Sequence, residues 1–265
     1  MTSCSVLVCS CDKYEEAWIP FFSLLKKYWP DCPFGLYLNT ETKKCDIEGV
    51  TTINVDSKCW SERLNKALAS IETEFVIVML EDFFIQKKVD DSKIKDLIDV
   101  MSLNTDIAVF YLNRITGYKD PSPYQDFYEM LPTNQYSRYM LNCQTAIWRR
   151  SVLEHSTRTS FSPWDFEEFG YKNQKNYLKD FHFYCSNITY YDSIREKDIF
   201  SYLLIRDLGY GIWQSKWLWN NKKLFKKEGI LFKPKQLPVM SKFEFKLYKC
   251  KERLKSLKKK YLGRK

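Results

Sequence analysis

Residues 75–84 read FVIVMLEDFF, in which six uninterrupted apolar residues are followed at once by two carboxylates. A run this short, rich in aromatic and β-branched residues, is typical of a strand buried on both faces of a sheet. Glu81 and Asp82 then stand at the carboxyl end of the strand, the edge where open α/β sheets bind ligands. The stretch predicts either a divalent-cation site that serves a diphosphate or a plain strand followed by a solvated acidic turn.

Short apolar runs alternate along the first part of the chain with stretches whose apolar residues recur at the spacing of one helix face. This alternation predicts an α/β fold with a mostly parallel, doubly wound central sheet flanked by helices. The predicted strands cover residues 5–9, 34–38, 51–55, 75–80 and 107–112, and the predicted helices cover residues 14–28, 60–71 and 91–101.

The alternation stops after Asn113, where a proline-punctuated, aromatic and polar stretch predicts irregular structure. Three further elements are expected beyond it, and residues 181–213 also contain several short strand-like pieces. The three elements are a strand core at residues 146–148, a helix capped by Ser162 with Pro163 in its first position, and a helix from Lys197 to Leu208.

The net charge of +9 belongs to the end of the chain. Residues 242–265 contain eleven Lys/Arg and two Glu, so the rest of the chain is neutral in sum. This pattern predicts either a basic helix that lies on an anionic membrane surface or a solvated lysine-rich end that aids solubility. The apolar residues that recur there at mostly helical spacing are Phe243, Leu247, Leu254, Leu257 and Tyr261.

Several classes of protein are disfavoured by what the sequence lacks. No apolar run approaches the ~18 residues of a membrane-spanning helix, and the amino terminus does not resemble a signal peptide. We therefore expect a cytosolic protein whose nine cysteines are reduced thiols without zinc-type spacing. The chain has no dinucleotide fingerprint, phosphate-binding loop or metalloprotease motif. Its two histidines and missing nucleophile elbow give a hydrolase triad little support.

Five short motifs follow one another in an informative order. They are SCD at residues 10–12, Arg63 with Asn65, LED at residues 80–82, QTAIWRR at residues 144–150 and WDFE at residues 164–167. Over roughly residues 4–215, this order and spacing resemble bacterial GT-A-fold glycosyltransferases of the capsular polysaccharide and lipopolysaccharide type. The resemblance implies a GT-A-like (Rossmann-like) fold, and the charge pattern described above adds a basic C-terminal helical tail.

The resemblance also implies an activity and a division of the chain. The expected enzyme moves a sugar from a nucleotide-sugar donor to a growing surface glycan (capsule, O-antigen or lipooligosaccharide), with inversion preferred. Its acceptor would be a glycan or lipid-linked glycan, met at the inner face of the cell membrane. The expected catalytic domain is 1–220, with a nucleotide-sugar half at about 1–112 and an acceptor half at about 113–220, followed by a basic extension at 221–265.

The donor would bind at the ends of the first and central strands. The resemblance assigns this role to Ser10, Asp12, Arg63, Glu81 and Asp82. From the residues alone, Asp12 is equally suited to cap the following helix, and Arg63 to occupy a solvated helix position. Both alternatives stay open at this point.

The leaving diphosphate must be neutralised by a cation or by Lys or Arg. Asp82, Glu81 and, as a third ligand, His182 are the residues expected to hold Mg²⁺ or Mn²⁺. The family's Asp-x-Asp metal motif reads Leu-Glu-Asp here and lacks its first acid. Without a metal, the role would fall to a basic residue, and the candidates are Arg149, Arg150 and Lys197.

The acceptor hydroxyl needs a base if the attack inverts the anomeric centre. The resemblance assigns that base to Glu167 first and Asp165 second, with Trp164 and Gln144 on the acceptor. The simpler interpretation of the acids is that the first turn of a helix favours negative charge. For Trp164 it is packing in the core.

Two further functions compete with glycosyl transfer. The first is a catalytically inactive protein that binds a sugar or nucleotide on the same fold. The second is a nucleic-acid-binding protein that uses the basic tail and the aromatic residues. The neutral body and the absence of an RNA-binding aromatic motif count against the second, so no nucleic-acid partner is expected.

Overall fold

The computed structural model describes residues 4–115, 119–131, 139–187 and 211–262. Within these ranges, a nine-stranded sheet has the order β3-β2-β1-β4-β8-β5-β9-β7-β6. Its strands are β1 Cys4–Cys9, β2 Gly35–Thr40, β3 Val50–Asn54, β4 Phe75–Leu80, β5 Ile107–Tyr111, β6 Asp120–Pro121, β7 Phe127–Glu129, β8 Ala146–Arg149 and β9 His182–Ser186.

Eight α-helices accompany the sheet in the described part of the chain, and a 3-10 turn at Asp12–Tyr14 precedes the first of them. The helices are α1 Glu15–Tyr28, α2 Trp60–Ala69, α3 Asp91–Leu103, α4 Arg150–Ser156, α5 Pro163–Asn173, α6 Lys175–Leu178, α7 Asn221–Glu228 and α8 Lys242–Leu262. The predicted α/β class, a mostly parallel central sheet flanked by helices, is confirmed. The helix predicted from Lys197 to Leu208 lies outside the described residues.

Strand β8 is the main interruption of the parallel order. It lies between β4 and β5 and pairs antiparallel with both, whereas β1, β2, β3 and β4 pair in parallel. Since β4 and β5 are both antiparallel to β8, they point the same way, and β9 follows β5 in parallel. The carboxyl ends of β1, β2, β4, β5 and β9 therefore share one edge of the sheet, which we call the carboxyl edge.

Each face of the sheet has its own apolar core. The central strand supplies Phe75, Ile77 and Met79 to the core under α1 and α3, and Val76 and Val78 to the core under α2, α4 and α5. These five side chains are buried, as the uninterrupted apolar run predicted. A strand covered on both faces has no solvent-facing positions, which explains why it shows no polar alternation.

A second sheet begins where the described chain resumes. Strands β10 Ile212–Trp213, β11 Lys216–Leu218 and β12 Val239–Met240 form a three-stranded sheet. Its Trp217 and the α7 residue Phe225 belong to the same core as β1 and β4. This core therefore includes residues on both sides of residue 220, and the domain boundary predicted there stays a prediction.

The basic helix α8 is held by its first turns. Ser241 and Glu244 cap it reciprocally through their side chains and backbone N–H groups. Phe245 is buried against Trp213 and Trp219. Neither this helix nor any other in the described ranges is long and apolar enough to cross a membrane.

Candidate functional site

The carboxyl edge brings together the loops that follow the parallel strands. Cys9, the last residue of β1, lies opposite Asn39 of β2 and Leu80 of β4. The segments that follow β1, β2 and β4, beginning at Ser10, Glu41 and Glu81, consequently leave the sheet side by side. These segments, together with α2 and the β10–β11 hairpin, form the candidate site.

Glu81 and Asp82 are buried, with only 6% and 7% of their surface exposed. The interpretation of this pair as a solvated acidic turn is therefore wrong. Burial raises the pKa of both carboxyls, and the charge of Asp82 raises the pKa of Glu81 further. Two buried carboxyls that repel each other favour a proton or a cation between them, because either one reduces the repulsion.

Arg63 on α2 is a cation whose charge acts on Glu81. Its Nη1 donates to the Ser57 carbonyl at 2.7 Å and to Glu41 Oε1 at 3.3 Å. Its charge partly offsets the rise in the pKa of Glu81. Only 7% of Arg63 is exposed, so the alternative of a solvated helix position is wrong.

Glu41 is a site residue that the sequence analysis missed. Its Oε1 accepts from Arg63, and its Oε2 accepts the Asp12 N–H at 2.8 Å. The signal was weak because β2 continues to Thr40, whereas the apolar run predicted its end at Leu38. If the sequence had shown that β2 ends at Thr40, Glu41 would have been predicted to lie at the carboxyl edge.

Asp12 does not cap helix α1, whose N-cap is Tyr14 without a side-chain hydrogen bond. Asp12 Oδ1 instead accepts from the backbone N–H groups of Glu41 and Lys43, and Asp12 Oδ2 accepts from the Thr42 hydroxyl at 2.6 Å. Asp12 thereby fixes the loop that carries Glu41. The cap prediction failed because the short 3-10 turn at Asp12–Tyr14 separates Asp12 from the α-helix.

Ser10 is buried next to Asp12 and is also engaged within the protein. Its Oγ accepts from the Trp18 indole N–H at 2.8 Å. This bond ties the end of β1 to helix α1. Its predicted role in donor binding stays a prediction.

The β10–β11 hairpin covers Asp82. The Ile212 N–H donates to Asp82 Oδ2 at 3.0 Å, and the Gly211 N–H donates to the Asp82 carbonyl at 2.9 Å. A Cβ at Gly211 would lie 2.1 Å from the ring of Phe84, so only glycine allows this approach.

Glu167 and Asp165 both lie on α5 but have different surroundings. Asp165 forms a capping box with Ser162, which confirms the predicted helix start. Glu167 is partly buried and accepts the Cys143 N–H through Oε1 at 3.0 Å. Burial raises the pKa of Glu167, and this hydrogen bond offsets part of the rise.

The thiols of Cys9 and Cys143 lie between Glu167 and the carboxylate pair. Cys143, just before β8, lies near Glu167 and Cys9, and the Cys9 thiol in turn lies close enough to Glu81 for that charge to raise its pKa. A cavity of about 10 Å³, room for about one water molecule, lies between Cys9, Leu80 and Cys143. Glu81 and Asp82 follow β4, and Cys143, the partner of Glu167, precedes the neighbouring strand β8, so the donor-side and acceptor-side candidates lie at the same edge of the sheet.

Trp164 shares helix α5 with Glu167, and Gln144 follows Cys143, whose N–H donates to Glu167. Trp164 is 76% exposed, so the alternative that it packs in the core is wrong. Gln144 is half-buried just before β8, and its N–H donates to Asn142 Oδ1 at 2.8 Å. Contact of either residue with an acceptor stays a prediction.

His182 lies at the opposite edge of the sheet and is not brought near Asp82. It starts β9, opposite Ile107 at the start of β5. Its Nδ1 contacts Glu129 Oε1 at 2.5 Å, and its Nε2 lies 3.4 Å from Asp106 Oδ2. The proposed third metal ligand is therefore withdrawn.

Arg149 and Arg150 also belong to that opposite edge. Arg149 donates to Glu74 and to the carbonyls of Ile107 and Met101, and Arg150 donates to the Thr73 carbonyl. Since these partners flank the amino ends of β4 and β5, neither arginine can stabilise a leaving group near Asp82. The third candidate, Lys197, lies outside the described residues.

The remaining metal candidates are Glu81 and Asp82. In the part of the chain that the structure describes, no cluster of three or more His, Cys, Asp or Glu side chains could hold a metal ion. Mg²⁺ does not require such a cluster, because it is usually held by one or two carboxylates together with substrate phosphates and water. The buried pair of carboxyls with raised pKa fits this kind of site.

A stability measurement can test the electrostatics of the pair. The pKa of Glu81 is higher in the folded protein than its ordinary value of ~4.3. Protonation of Glu81 therefore stabilises the folded state at low pH, and this stabilisation is lost as the pH rises from ~4.3 through the folded-state pKa. We expect Glu81→Gln to raise the Tm at pH 8 in EDTA and to lose most of that gain at pH 5. Each unit of pKa shift is ~1.4 kcal/mol, or ~2–4 °C for a chain of this length.

Calorimetry of wild type, Glu81→Gln and Glu72→Gln at both pH values is the measurement. Glu72 is an exposed acid, and its substitution should leave the Tm nearly unchanged at both pH values. A Glu81→Gln protein that is less stable than wild type at pH 8 would show that Glu81 is not under the repulsion described here.

Neither a protein-family model nor a curated protein sequence matches the chain. Among solved structures it is similar to a cytidylyltransferase from Leptospira borgpetersenii serovar Hardjo-bovis, with a TM-score of 0.42 and 14% identity over 68% of this chain and 74% of that one. It is similar to residues 1–349 of S. aureus TarS, with a TM-score of 0.42 and 17% identity over 73% of this chain and 62% of that one.

A third similar structure is CMP:2-keto-3-deoxy-manno-octonic acid synthetase complexed with CTP. Its TM-score is 0.36 and its identity 10%, over 71% of this chain and 89% of that one. Similarity of this degree is too low to assign an activity. The activity has to be inferred from the residues of the site.

Proposed function

We propose that the protein is a glycosyltransferase that moves a sugar from a nucleotide-sugar donor to a growing surface glycan, with inversion. The observation that carries the proposal is the buried pair Glu81 and Asp82 at the carboxyl end of the central strand. Burial of two adjacent acids costs free energy, and groups perturbed in this way cluster at functional sites. Arg63 beside the pair and Glu167 on α5, which accepts the N–H of Cys143 just before β8, complete a set suited to this chemistry.

Glu81 and Asp82 are the residues that would hold Mg²⁺ or Mn²⁺. Such a cation would neutralise the diphosphate that leaves with the nucleotide. Arg63 and Glu41 keep the loop of β2 and helix α2 in a fixed relation to the pair, through the bonds that join Arg63 to Glu41 and Ser57. The donor would lie over the ends of β1 and β4.

Glu167 acts as the base in this proposal. The acceptor hydroxyl oxygen forms a bond to the anomeric carbon, the bond from that carbon to the diphosphate oxygen breaks, and its electrons leave with the nucleoside diphosphate. Glu167 takes the hydroxyl proton. Burial favours this role because it raises the pKa of Glu167 towards neutral pH, and Cys143 orients the carboxylate through its N–H.

A thermal-shift screen tests the function. UDP, GDP, CMP and dTDP are each added with and without Mn²⁺, because a ligand that binds the native state raises the Tm by mass action. The matching nucleotide sugar is then mixed with a glycan extract, and released nucleotide is measured. Stabilisation by none of the nucleotides would overturn the proposal. Stabilisation without any release would instead indicate an inactive nucleotide-binding protein.

We propose in addition that α8 holds the enzyme on an anionic membrane surface at the cytoplasmic face. Residues 242–265 carry eleven basic residues, and each one near such a surface contributes about 1 kcal/mol. The buried Phe245 fixes which side of the helix faces the protein. Phe243, Leu247 and Leu254 are exposed and recur at helical spacing, so they form a row that can enter the interface.

Liposome co-sedimentation tests the row without removing the helix. We expect wild type to pellet with anionic liposomes at low salt and to be released at high salt. A Phe243→Ser, Leu247→Ser, Leu254→Ser variant keeps every charge and should lose most of the binding. The matched control replaces three exposed apolar residues elsewhere, Ile19, Leu103 and Leu231, by serine. Equal pelleting of the two variants would refute the role of the row.

A further inference from the structure

We propose that Lys13, Tyr14 and Ser215 form a diphosphate-binding site beside Glu81 and Asp82. The inference rests on the proposed function, because it concerns the leaving group of the same reaction. It supplies the basic residue that Arg149 and Arg150 cannot provide from the opposite edge of the sheet.

The three side chains converge on one point. Lys13 Nζ donates to Ser215 Oγ at 2.7 Å, and the Tyr14 hydroxyl lies 3.2 Å from the same oxygen. An ammonium, a phenol and a hydroxyl can each donate a hydrogen bond to a phosphate oxygen. They come from two segments that are some 200 residues apart in the sequence, and both segments border the carboxylate pair.

Tyr14 connects this cluster to the candidate cation site. The charges of Glu81 and Asp82 both act on its hydroxyl, which therefore lies near the pair. A cation held by the pair and the ammonium of Lys13 would flank the same small region. A diphosphate has two phosphate groups, so one can meet the cation while the other meets the cluster.

Lys13 differs from the other cations of this region in that its hydrogen-bond partner is a neutral hydroxyl. Arg63 is buried against Glu41 and Ser57, and Lys43 is paired with Glu15. Lys13 is exposed, and its contact within the described residues is the neutral Ser215 hydroxyl. An anion that arrives there gains a charge-assisted hydrogen bond without displacing an acid.

The hairpin tip that carries Ser215 is held in an unusual backbone conformation. Gln214 and Ser215 have φ values of 48° and 58°, in the left-handed region that residues other than glycine rarely adopt. Strain of this kind is typical of ligand clamps, where the surrounding contacts enforce it. Here the same hairpin donates to Asp82 through Ile212, so one element supports both the cation ligand and the proposed phosphate ligands.

Binding of inorganic pyrophosphate with Mg²⁺ tests the site by calorimetry, because this probe needs neither the correct base nor the correct sugar. We expect Lys13→Gln to weaken its binding roughly 10- to 100-fold, the loss of a charge-assisted hydrogen bond. Tyr14→Phe should weaken it by a smaller factor. The matched control is Lys26→Gln, which removes the same charge from the exposed face of α1, where Lys26 donates to the Glu48 carbonyl.

The outcomes separate this site from the proposed function. Equal pyrophosphate affinity in Lys13→Gln, Lys26→Gln and wild type would overturn the site, since any binding would then come from elsewhere, such as α8. No binding to wild type would overturn it as well. If Lys13→Gln alone loses pyrophosphate while no nucleotide sugar is turned over, the diphosphate site stands and glycosyl transfer is refuted.

Discussion

Asp82→Asn is expected to lower sugar transfer by roughly 10³-fold or more, the scale of losing a main electrostatic stabiliser of the leaving group. The amide has the shape of the carboxylate and can still accept the Ile212 N–H, so the hairpin above it should stay in place. Only the charge is lost. EDTA should have the same effect on the wild type. Nucleotide release from the matching sugar donor, with and without Mn²⁺, is the measurement.

The control for this substitution is Asp46→Asn, which removes the same charge from an exposed loop position. It should turn over like the wild type. Full wild-type activity in EDTA would remove the cation from the proposal. Neutralisation of the diphosphate would then fall to Lys13, and Asp82 would be only a support for the hairpin.

Glu167→Gln is expected to leave nucleotide affinity unchanged and to lower turnover by roughly 10²–10⁴, the usual contribution of a general base. The reason is that the amide keeps the acceptor for the Cys143 N–H but cannot take a proton. In the wild type, activity should fall as the pH drops through the pKa of Glu167, which burial raises, because only the ionised form is a base. This acid limb should disappear from the pH profile of the variant.

Asp165→Asn on the same helix is the comparison. Its carboxylate is engaged in the capping box with Ser162, so we expect some loss of stability and little loss of turnover. If Glu167→Gln turns over nearly normally and Asp165→Asn does not, the two roles were assigned in the wrong order.

The elements of the sheet were largely predictable because their signals are local. The apolar run at residues 75–80 predicted a strand buried on both faces, and that is how β4 packs. Ser162 and Pro163 marked the start of α5 through their own side chains. Such patterns depend on neighbours in the sequence, which a single chain displays.

The direction of a strand within the sheet gives no comparable local signal in the sequence. Arg149 and Arg150 would have reached the carboxyl edge if β8 ran parallel to β4, but the antiparallel insertion moves them to the other end. His182 was misplaced for a related reason, since it begins β9 where a ligand would have to follow a strand. Which residues share an edge of the sheet depends on strand direction, so a set of ligands cannot be predicted from sequence spacing alone.

The hairpin over Asp82 could not have been expected either. Ile212 is 130 residues away from the carboxylate that it contacts. Its turn also lacks the glycine or asparagine that usually marks positive φ in a two-residue hairpin, because Gln214 and Ser215 occupy those positions. The partners of Ser215, Lys13 and Tyr14, also lie far from the turn in the sequence.

The insertion of β8 also governs how the chain can fold during its synthesis. Strand β5 pairs only with β8 and β9 among the described strands, and both come later in the sequence. A nascent chain that ends near residue 112 therefore exposes the unpaired edges of β4 and β5, which invites aggregation. Pairings this distant in sequence also slow folding. We therefore expect residues 1–112 to fold as an independent module only if β8 is included with them.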